Sequence, residues 1–592
     1  MSKDESIVSD FACWAVAAVF VFGLVVLAVR LKDVQVENAA DYGYANVRQS
    51  VRRVQTDGDR GRIIDRNGIV LADNRRSISI VCNASCFQKR TWEATAAAIE
   101  AALSNAAKTV GRPSPLSARD IRRHINQSLA MPLVAWRDIG DVQLARFCEN
   151  ELQMPGFSVL ETEERFYPQG RLAAHVLGYV GRDRGEAEAG DEKFNFYLPE
   201  MRGRSGLEIY YDSFLRGVSG ERKVLVDARG FAMREWTVVE SKRGPDLRIS
   251  LDSRIQRVAE EQLRGLKGAC AVIDPRNGDV IALVSSPGFD PNEFVPRLDS
   301  KLYARYANDP AKPLLNRATG GAYAPGSTFK PVTALAGLVN GFSETKCHYC
   351  NGAFDFGGMH LRCASRWGHG PLDMRHALRE SCNPYFCNLA VEIGTNAIIS
   401  AAKAFGLGRK TGIDLGVDMA GVVPDGDWKQ RMYGERWYPG DLPQMSIGQG
   451  MLLVSPLQMA LVCGAIGAGH LVVPRFKLDV GVRTAPLPFS KRQLDVVRGG
   501  MRMVVDGGTG RRGGAGLAVE VSGKTGTAEV GRGESRRKNA WFIAYAPSSA
   551  PTAAIAMVVE NGDSGGGTAA PKVRNILAAM FGETGDGKAV KR

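Results

Sequence analysis

The sequence predicts a mixed α/β domain in its C-terminal part, preceded by a smaller α+β module and one apolar N-terminal segment. Three observations predict this. No charged residue lies between Phe11 and Val29. From residue 247 onward, strand-like runs stand at both ends of the segment with helical patterns between them. A hydrophobic content of 44% and a charged content of 23% are ordinary for a globular protein.

The apolar segment 11–30 just reaches the length of a membrane-spanning helix. A cleaved signal peptide is the alternative. However, this apolar run is longer than a typical signal core, and no clear A-x-A cleavage site follows it. We therefore expect an uncleaved signal anchor, with residues 1–10 as a cytoplasmic tail. Arg30 and Lys32 follow the segment, so the flanking charges do not give a clean orientation.

The module predicted for residues 31–245 combines strands and helices. The stretch 60-RGRIIDRNGIVLAD-73 predicts a hairpin, because DRNG is a turn signal between two apolar runs. Residues 91–150 are rich in alanine and predict helices. Gly244 and Pro245 mark the expected boundary with the next domain.

The domain predicted for residues 246–580 begins with a strand, a helix capped by Asp252, and a hairpin turning at Asn277 and Gly278. Near its end come three more strand-like runs, at 517–530, 540–547 and 553–561. We expect one sheet closed by strands from both ends of the domain. Residues 581–592 form a polar tail.

The net charge of +13 is compatible with nucleic acid, an anionic membrane surface or simple solubility. There is no dense block of lysine and arginine with interleaved aromatic residues. The sequence therefore predicts no nucleic-acid partner.

The stretch 324-APGSTFKP-331 places a serine three residues before a lysine. A serine hydroxyl is a weak nucleophile until a base takes its proton, and no histidine stands within five residues of Ser327. Positions three apart share a helix face, so the amine of Lys330 can reach the hydroxyl. A lysine buried beside other cations loses its proton near neutral pH. A helix starting at Pro325 and Gly326 would also direct free N–H groups toward a developing oxyanion.

Single motifs of this kind also arise by chance. Ser-x-x-Lys recurs at 343–346, and Lys-Thr-Gly occurs at both 410–412 and 524–526. The first Lys-Thr-Gly follows a helical pattern, whereas the second lies in an alternating strand pattern that can line a cleft. The order of the motifs therefore distinguishes the meaningful copies from the chance ones. Three motifs follow one another within one predicted domain: Ser327-x-x-Lys330, Ser381-x-Asn383 and Lys524-Thr525-Gly526.

This ordered set resembles the three motifs of the penicillin-binding proteins and serine β-lactamases. Further stretches resemble class B penicillin-binding proteins over nearly the whole chain: RGRIIDRNG, GRSGLE, 445-MSIGQGMLLVSPLQMA-460 and 539-NAWFIAYAP-547. The segment AHVLGYVG and the 368-GHG-370 before Ser381 are most similar to the elongation-type group, penicillin-binding protein 2. The resemblance implies a transpeptidase (serine β-lactamase-like) domain on an N-terminal pedestal or dimerisation-type module, with one transmembrane helix.

The resemblance also implies a reaction. Ser327 would attack the penultimate D-Ala carbonyl of a D-Ala-D-Ala stem peptide, with Lys330 as general base. An amine from a neighbouring peptide would then take the acyl group and complete a cross-link, and β-lactams would acylate Ser327 in place of substrate. By the same resemblance, Ser381 and Asn383 would relay protons and hold the substrate, and Lys524 would add a positive field. Thr525, Gly526 and Thr527 would line the site of the substrate carboxylate. The N–H groups of Ser327 and Thr527 would form the oxyanion hole.

Location and partners follow from the same resemblance. The substrate is extracytoplasmic, so the catalytic domain would be periplasmic on a single-pass inner-membrane anchor. No room remains for a glycosyltransferase domain before residue 245, which implies a monofunctional enzyme. A glycan polymerase of the SEDS type and rod-shape scaffold proteins are the implied partners. The N-terminal module would contact them, or would serve only as a spacer.

Five of the 11 cysteines fall between Cys347 and Cys387. With His348, His360 and His369, the segment offers thiolate and imidazole donors that suit tetrahedral zinc. Some elongation-type members carry a metal here, and the positions that match are Cys350, Cys363, His369 and Cys382, with Cys347 as a spare. Such a zinc would be structural, and the reaction itself needs no cofactor. A disulfide from Cys347 to Cys350 or Cys363 and inert buried thiols are the alternatives.

Other functions are compatible with the same motifs. A septal, division-type transpeptidase of the same class is the first alternative, although such relatives usually lack the GHG stretch at 368–370. A membrane-anchored β-lactamase would normally be a compact single domain, and a β-lactam sensor would normally have several membrane spans. A scaffold without catalysis is disfavoured because all three motifs are intact.

Overall fold

The computed structural model describes residues 4–40, 50–56, 58–182, 195–197, 201–295, 299–531 and 536–583. Most of the predicted polar tail and the first residues of the predicted cytoplasmic tail lie outside these ranges. The described part has the predicted mixed α/β fold, with the α+β module before it and one apolar helix at the start. That helix, α1 (Asp4–Lys32), contains the predicted anchor segment and is long and apolar enough to cross a membrane.

The N-terminal module holds two larger sheets and, apart from them, the antiparallel pair β6-β8. In the first, the strand order is β10-β9-β1-β7, and in the second it is β11-β2-β3-β4 with β5 paired to β3. The predicted hairpin is present, since β2 pairs antiparallel with the start of β3. The strands are β1 (Val51–Thr56), β2 (Ile63–Ile64), β3 (Val70–Cys82), β4 (Leu133–Trp136), β5 (Phe157–Phe166), β6 (Val180–Arg182), β7 (Asn195–Tyr197), β8 (Met201–Gly203), β9 (Gly220–Val226), β10 (Ala232–Val239) and β11 (Leu247–Arg248).

Helices cover one face of the second sheet. Ile99 and Leu103 of the alanine-rich helix pack with Trp136 and Phe147 in a common apolar core, which accounts for the helical periodicity of this stretch. The helices of the module are α2 (Trp92–Val110), α3 (Ala118–Gln127), α4 (Asp141–Glu149), α5 (Ala174–Leu177), α6 (Gly206–Tyr210) and α7 (Asp212–Leu215).

The C-terminal domain is built on a five-stranded antiparallel sheet in the order β13-β12-β22-β21-β20. These strands are β12 (Gly268–Ile273), β13 (Val280–Ser286), β20 (Ser522–Val530), β21 (Arg537–Ala546) and β22 (Ala553–Glu560). The predicted closure is confirmed, because β12 pairs with β22. One face of the sheet packs on α8 (Ser253–Gln262) and α19 (Ala570–Phe581), and the other face packs on a larger helical layer.

The helical layer carries most of the functional motifs. The helices between the two ends of the sheet are α9 (Ser300–Asn308), α10 (Arg317–Gly320), α11 (Lys330–Val339), α12 (Met374–Arg379), α13 (Asn383–Ile393), α14 (Thr395–Ala404), α15 (Gly426–Tyr433), α16 (Asp441–Ser446), α17 (Pro456–Ala468) and α18 (Lys491–Asp506). Short strands form a small annex beside α13, namely β14 (His348–Cys350), β15 (Ala353–Phe356), β16 (Met359–Arg362) and β17 (Gly370–Leu372), while β18 (His470–Val472) and β19 (Thr484–Pro486) pair elsewhere.

The two modules are joined by backbone pairing and by buried polar contacts. Strand β11, which leads directly into the C-terminal domain, pairs in parallel with β2. The Asp65 carboxylate accepts hydrogen bonds from the N–H and hydroxyl of Ser253, at 3.1 and 2.7 Å. Asp252 caps the same helix, as predicted, by accepting from the Arg254 N–H. The first turn of α8 is therefore held from both modules.

A buried ion cluster stiffens this junction on the pedestal side. Glu208 is fully buried and accepts from Arg60 at 2.6 Å and from Arg165 at 2.7 Å. Desolvation would raise the pKa of Glu208, but the two guanidinium groups outweigh it and hold the pKa below its ordinary value. Next to this cluster, the Asn292 side chain hydrogen-bonds the backbone N–H and C=O of Tyr167 across the module boundary.

Candidate active site

Ser327 lies in a 3₁₀ turn, Gly326–Phe329, directly before α11. The sequence predicted an α-helix beginning at Pro325 and Gly326, and the α-helical hydrogen bonds instead begin at Lys330. Close contact with the sheet explains the tighter turn. Gly326 has a φ of 55°, and a Cβ at this position would lie 3.1 Å from the carbonyl oxygen of Thr527. Only glycine therefore lets the turn approach β20 this closely.

Lys330 is fully buried and its amine is directed at the second motif. It donates to the carbonyl oxygen of Ser381 at 2.6 Å and to the side-chain oxygen of Asn383 at 2.7 Å. The hydroxyl of Ser327 is not among its partners. Burial lowers the pKa of Lys330 to about 8, and nearby thiols offset this in part. From the sequence, a neutral Lys330 depended on its burial, and the structure buries this amine completely.

Ser381 occupies the turn between α12 and α13 with a φ of 56°, a left-handed conformation that is costly for a residue with a Cβ. Its backbone is held by hydrogen bonds from the N–H of Ser381 to Leu378 and from the N–H of Cys382 to Ala377, at 3.2 and 3.0 Å. This conformation brings the hydroxyl and the carbonyl of Ser381 to two different lysines. The strained residue thus lies where Lys330 of Ser-x-x-Lys and Lys524 of Lys-Thr-Gly both meet the Ser381-x-Asn383 motif.

Lys524 reaches the same hydroxyl from the sheet. It is fully buried on β20, and its amine donates to Ser381 Oγ at 2.8 Å and to the Thr525 carbonyl at 3.0 Å. Burial, and then the positive charge of Lys330, hold the pKa of Lys524 well below its ordinary value. The structure therefore brings together Lys330, Ser381, Asn383 and Lys524 in one hydrogen-bonded chain beside the Ser327 turn, with both lysines fully buried.

The two threonines of β20 are oriented by residues that the sequence analysis did not single out. Thr525 Oγ1 lies 2.7 Å from Thr509 Oγ1, and Thr527 Oγ1 accepts from the Gly565 N–H at 3.3 Å. Gln449 donates to the Thr527 carbonyl at 3.4 Å. Gln449 belongs to the GQG already noted in the sequence. Thr509 lies among glycines and carries no pattern of its own.

The duplicate motifs lie elsewhere. Thr411 of the first Lys-Thr-Gly donates to Asp418 at 3.0 Å in a loop, and Lys346 of the second Ser-x-x-Lys pairs with Glu392 at 2.6 Å. Neither contacts the network around Ser381. Their structural surroundings agree with the prediction that they are chance matches.

Next to Ser381 lie Cys350, Cys363, His369 and Cys382, whose donor atoms all lie within 4.8 Å of one another. The Nδ1 of His369 is 3.6 Å from Cys350 Sγ and 3.5 Å from Cys363 Sγ, and the sulfurs of Cys363 and Cys382 are 4.0 Å apart. We call these four residues the thiol cluster. It brings together the four positions that matched the metal site of the family.

The donor geometry fits zinc. With Zn–S bonds of about 2.3 Å and Zn–N bonds of about 2.0 Å, tetrahedral ligands lie about 3.8 Å apart for S–S and about 3.5 Å for S–N pairs. The distances in the thiol cluster are close to these values. The structure pairs none of the 11 cysteines with one another, and Cys347 is exposed outside the cluster. His360 is also outside, paired with Asp355.

Two family models match the chain. The penicillin binding protein transpeptidase domain matches residues 268–578, and the penicillin-binding protein dimerisation domain matches residues 55–249. Among curated relatives, the peptidoglycan D,D-transpeptidase MrdA of Acinetobacter baumannii is 33% identical, over 92% of this chain and 84% of its own length. MrdA of Escherichia coli strain K12 is 31% identical, over 91% of this chain and 89% of its own length.

Solved structures agree over similar lengths. A complex between penicillin-binding protein PBP2 and MreC from Helicobacter pylori matches 90% of this chain and 98% of its own, with a TM-score of 0.77 and 27% identity. A peptidoglycan synthase complex, described as coordinating polymerization and crosslinking, matches 98% of this chain and 99% of its own, with a TM-score of 0.72 and 28% identity.

Proposed function

The chain belongs to the class B penicillin-binding proteins and is an elongation-type peptidoglycan D,D-transpeptidase, and on that premise we propose that Ser327 is its acyl-carrying nucleophile. The observation that carries this proposal is the hydrogen-bonded chain of Lys330, Ser381, Asn383 and Lys524 beside the Ser327 turn. Two desolvated lysines that share one serine hydroxyl are suited to moving protons at neutral pH.

In the proposed acylation step, Ser327 Oγ attacks the carbonyl carbon of the penultimate D-Ala and its proton passes to neutral Lys330. With a pKa of about 8, about one tenth of Lys330 is neutral at pH 7. The C–N bond to the terminal D-Ala then breaks, and the leaving amine takes a proton relayed through Ser381, which Lys524 supports. The N–H groups of Ser327 and Thr527 would hold the oxyanion.

In the deacylation step, the amine of a second stem peptide attacks the ester carbon, the C–O bond to Ser327 breaks, and a proton returns to Ser327 Oγ. Thr525 and Thr527 would bind the carboxylate of the donor, with Thr509 orienting the hydroxyl of Thr525. A β-lactam would follow the first step and stop at the ester.

Intact mass after incubation with a β-lactam tests the nucleophile. We expect one drug adduct on the wild type and none on Ser327→Ala. Ser343→Ala is the matched control, because it removes the serine of the other Ser-x-x-Lys, and it should keep the adduct. An adduct retained by Ser327→Ala, or a wild type without any adduct, would reject the assignment.

We further propose that the thiol cluster holds a structural zinc ion. Three thiolates and one imidazole would satisfy the metal, which supplies a rigid tetrahedral cross-link and takes no part in acyl transfer. Because Cys382 stands between Ser381 and Asn383, the cross-link would fix the strained turn that carries both. Metal analysis of protein purified without chelator should give one zinc per chain for the wild type and for Cys347→Ser, and none for Cys363→Ser. A zinc-free wild type with a mass lower by two hydrogens would indicate a disulfide instead.

For location and partners, we propose that α1 anchors the chain in the inner membrane with residues after it in the periplasm. The solved structures similar to this chain include one with MreC and one peptidoglycan synthase complex. These support a scaffold protein and a SEDS-type glycan polymerase as partners of this chain. Protease accessibility in spheroplasts tests the orientation: digestion of the C-terminal domain from outside is expected, and its protection would contradict the proposal.

A further inference from the structure

A short surface loop begins beside the active site and carries a member of the thiol cluster near each of its ends. This loop, Arg362–His369, is called the rim loop here. At its start, the Arg362 carbonyl accepts from the side-chain amide of Asn383 at 2.8 Å. Cys363 and His369, near its two ends, belong to the thiol cluster. Ser365 hydrogen-bonds Gly368 in both directions, at 2.8 and 3.2 Å, so the tip of the loop is closed on itself. The rim loop is therefore fixed at the edge of the catalytic cleft.

The rim loop exposes a large aromatic side chain beside arginines that have no carboxylate partner in the described part of the chain. Trp367 is 80% exposed, and the guanidinium of Arg366 lies over its ring at 4.6 Å from the centroid. Arg362 is exposed as well. Among the residues that the structure describes, no carboxylate lies within ion-pairing distance of either arginine. An exposed tryptophan and two unpaired arginines on a loop held at both ends are typical of a binding surface, since tryptophan and arginine dominate binding energy at interfaces.

The reaction itself indicates the occupant. A transpeptidase binds two peptides, a donor that acylates Ser327 and an acceptor that brings an amine to the ester. Thr525, Thr527 and Lys524 stand on the β20 side of the cleft, where the donor carboxylate is proposed to bind. The rim loop borders Asn383 on the side of α13, with charge that matches an anion. Arginine recognises carboxylates through two parallel hydrogen bonds.

We propose that the rim loop is the acceptor subsite, and that it selects an acceptor whose attacking amine stands beside a carboxylate. Arg362 binds that carboxylate and so places the amine near the ester carbon, while Trp367 with Arg366 packs on the body of the acceptor strand. This inference rests on the proposed function of Ser327. The amine loses one proton as the new C–N bond forms, and Ser327 Oγ gains one as its ester bond breaks.

Acceptor competition on the full-length protein tests the proposal. The donor is a synthetic stem peptide ending in D-Ala-D-Ala, and the acceptors are D-methionine and D-methionine amide, which differ in the carboxylate. Mass spectrometry separates the two exchange products from the hydrolysis product. We expect the wild type to use D-methionine about tenfold more efficiently than its amide, as one charged hydrogen-bonded contact implies.

Variants then locate the contact. Arg362→Ala should lose the preference, and Arg362→Lys should keep part of it. Arg264→Ala removes an exposed arginine just after α8 that pairs with Glu261, and it should keep the full preference. With a disaccharide-peptide acceptor, Trp367→Ala should raise hydrolysis relative to cross-linking, and Trp367→Phe should restore the wild-type ratio in large part.

Acylation by a β-lactam and zinc content are measured on every sample. If the wild type is labelled at Ser327 but shows no preference, or if Arg362→Ala keeps it, the acceptor inference is wrong and the proposed function stands. If the wild type is not labelled at Ser327, the proposed function itself fails. A variant that has lost zinc or thermal stability is replaced by the conservative one, so that a folding defect is not read as a binding effect.

Discussion

The two sides of the turn Ser381–Asn383 differ in how they are built. On one side, Lys330 and Lys524 come from distant parts of the chain and meet only because the turn before α11 packs against β20. On the other side, the thiol cluster comes from one continuous stretch of sequence and a small annex of strands. Burial lowers the pKa of both lysines, which suits them to proton transfer. The thiols lie in a geometry that fits a structural metal. The same turn depends on both.

Substitution of Lys330 should have the largest effect on the rate of acylation. Replacing Lys330 by alanine removes the proposed base, and general acid–base catalysis typically contributes about 10²- to 10⁴-fold. We expect the second-order rate of acylation by a β-lactam to fall by about a thousandfold. Lys346→Ala, in the duplicate motif, is the control and should acylate normally. Near-normal acylation of Lys330→Ala would mean that Lys524 or another group is the base.

Changing pH should sharpen the comparison without altering the chain. Burial lowers the pKa of Lys330 to about 8, so the amine is mostly protonated below that pH and accepts no proton. The acylation rate should rise by about tenfold per pH unit below this value and level off above it. Stopped-flow acylation across pH 6 to 10 measures this. A midpoint near pH 6.5, typical of histidine, would contradict a lysine base.

Removing the proposed zinc should have a smaller effect, since its loss would loosen the turn without removing a reacting group. We expect chelator treatment to lower the acylation rate by about tenfold, in the range found when supporting contacts of metal sites are lost. The melting temperature should fall with it, and zinc should restore both. Cys347→Ser should respond like the wild type. If chelator-treated protein still acylates at the full rate, the thiol cluster does not support the catalytic turn.

The smallest effect should come from Thr509, which acts only through Thr525. Thr509→Val keeps the shape and removes the hydroxyl that lies 2.7 Å from Thr525 Oγ1. The loss of one neutral hydrogen bond is about 1 kcal/mol, so we expect a several-fold loss of acylation efficiency. The loss should fall on binding more than on the rate at saturation. Thr411→Val, in the unused Lys-Thr-Gly, should change neither.

Much of this architecture could be predicted from the sequence. The hairpins, the Asp252 cap and the closure of the sheet by β12 and β22 follow from local turn chemistry and strand periodicity. The grouping of Cys350, Cys363, His369 and Cys382 was predicted through the family resemblance, and these residues lie close together in sequence. The spacing of Ser327 and Lys330 could not show that the Lys330 amine would bond Ser381 and Asn383. That partnership depends on tertiary packing and on the left-handed backbone of Ser381.

Other parts of the site carried no readable signal. Thr509 lies in a run of glycines, and its contact with Thr525 exists only because the end of α18 meets β20. The 3₁₀ turn at Ser327 was likewise not predictable, since it follows from the close approach of Gly326 to the Thr527 carbonyl. Residues that act through long-range contacts are thus the ones that sequence patterns miss.

The strand pairing of β11 with β2, together with the hold of Asp65 on Ser253, has a consequence for how such a gene can be recombined. A crossover placed at Pro245 would separate the catalytic domain from β2, which pairs with β11, and from Asp65, which binds the first turn of α8. An exchange that keeps residues 60–66 with their own catalytic domain would preserve them. Viable chimaeras of this enzyme should therefore inherit those few N-terminal residues together with the catalytic half, even though a long stretch of pedestal sequence separates the two.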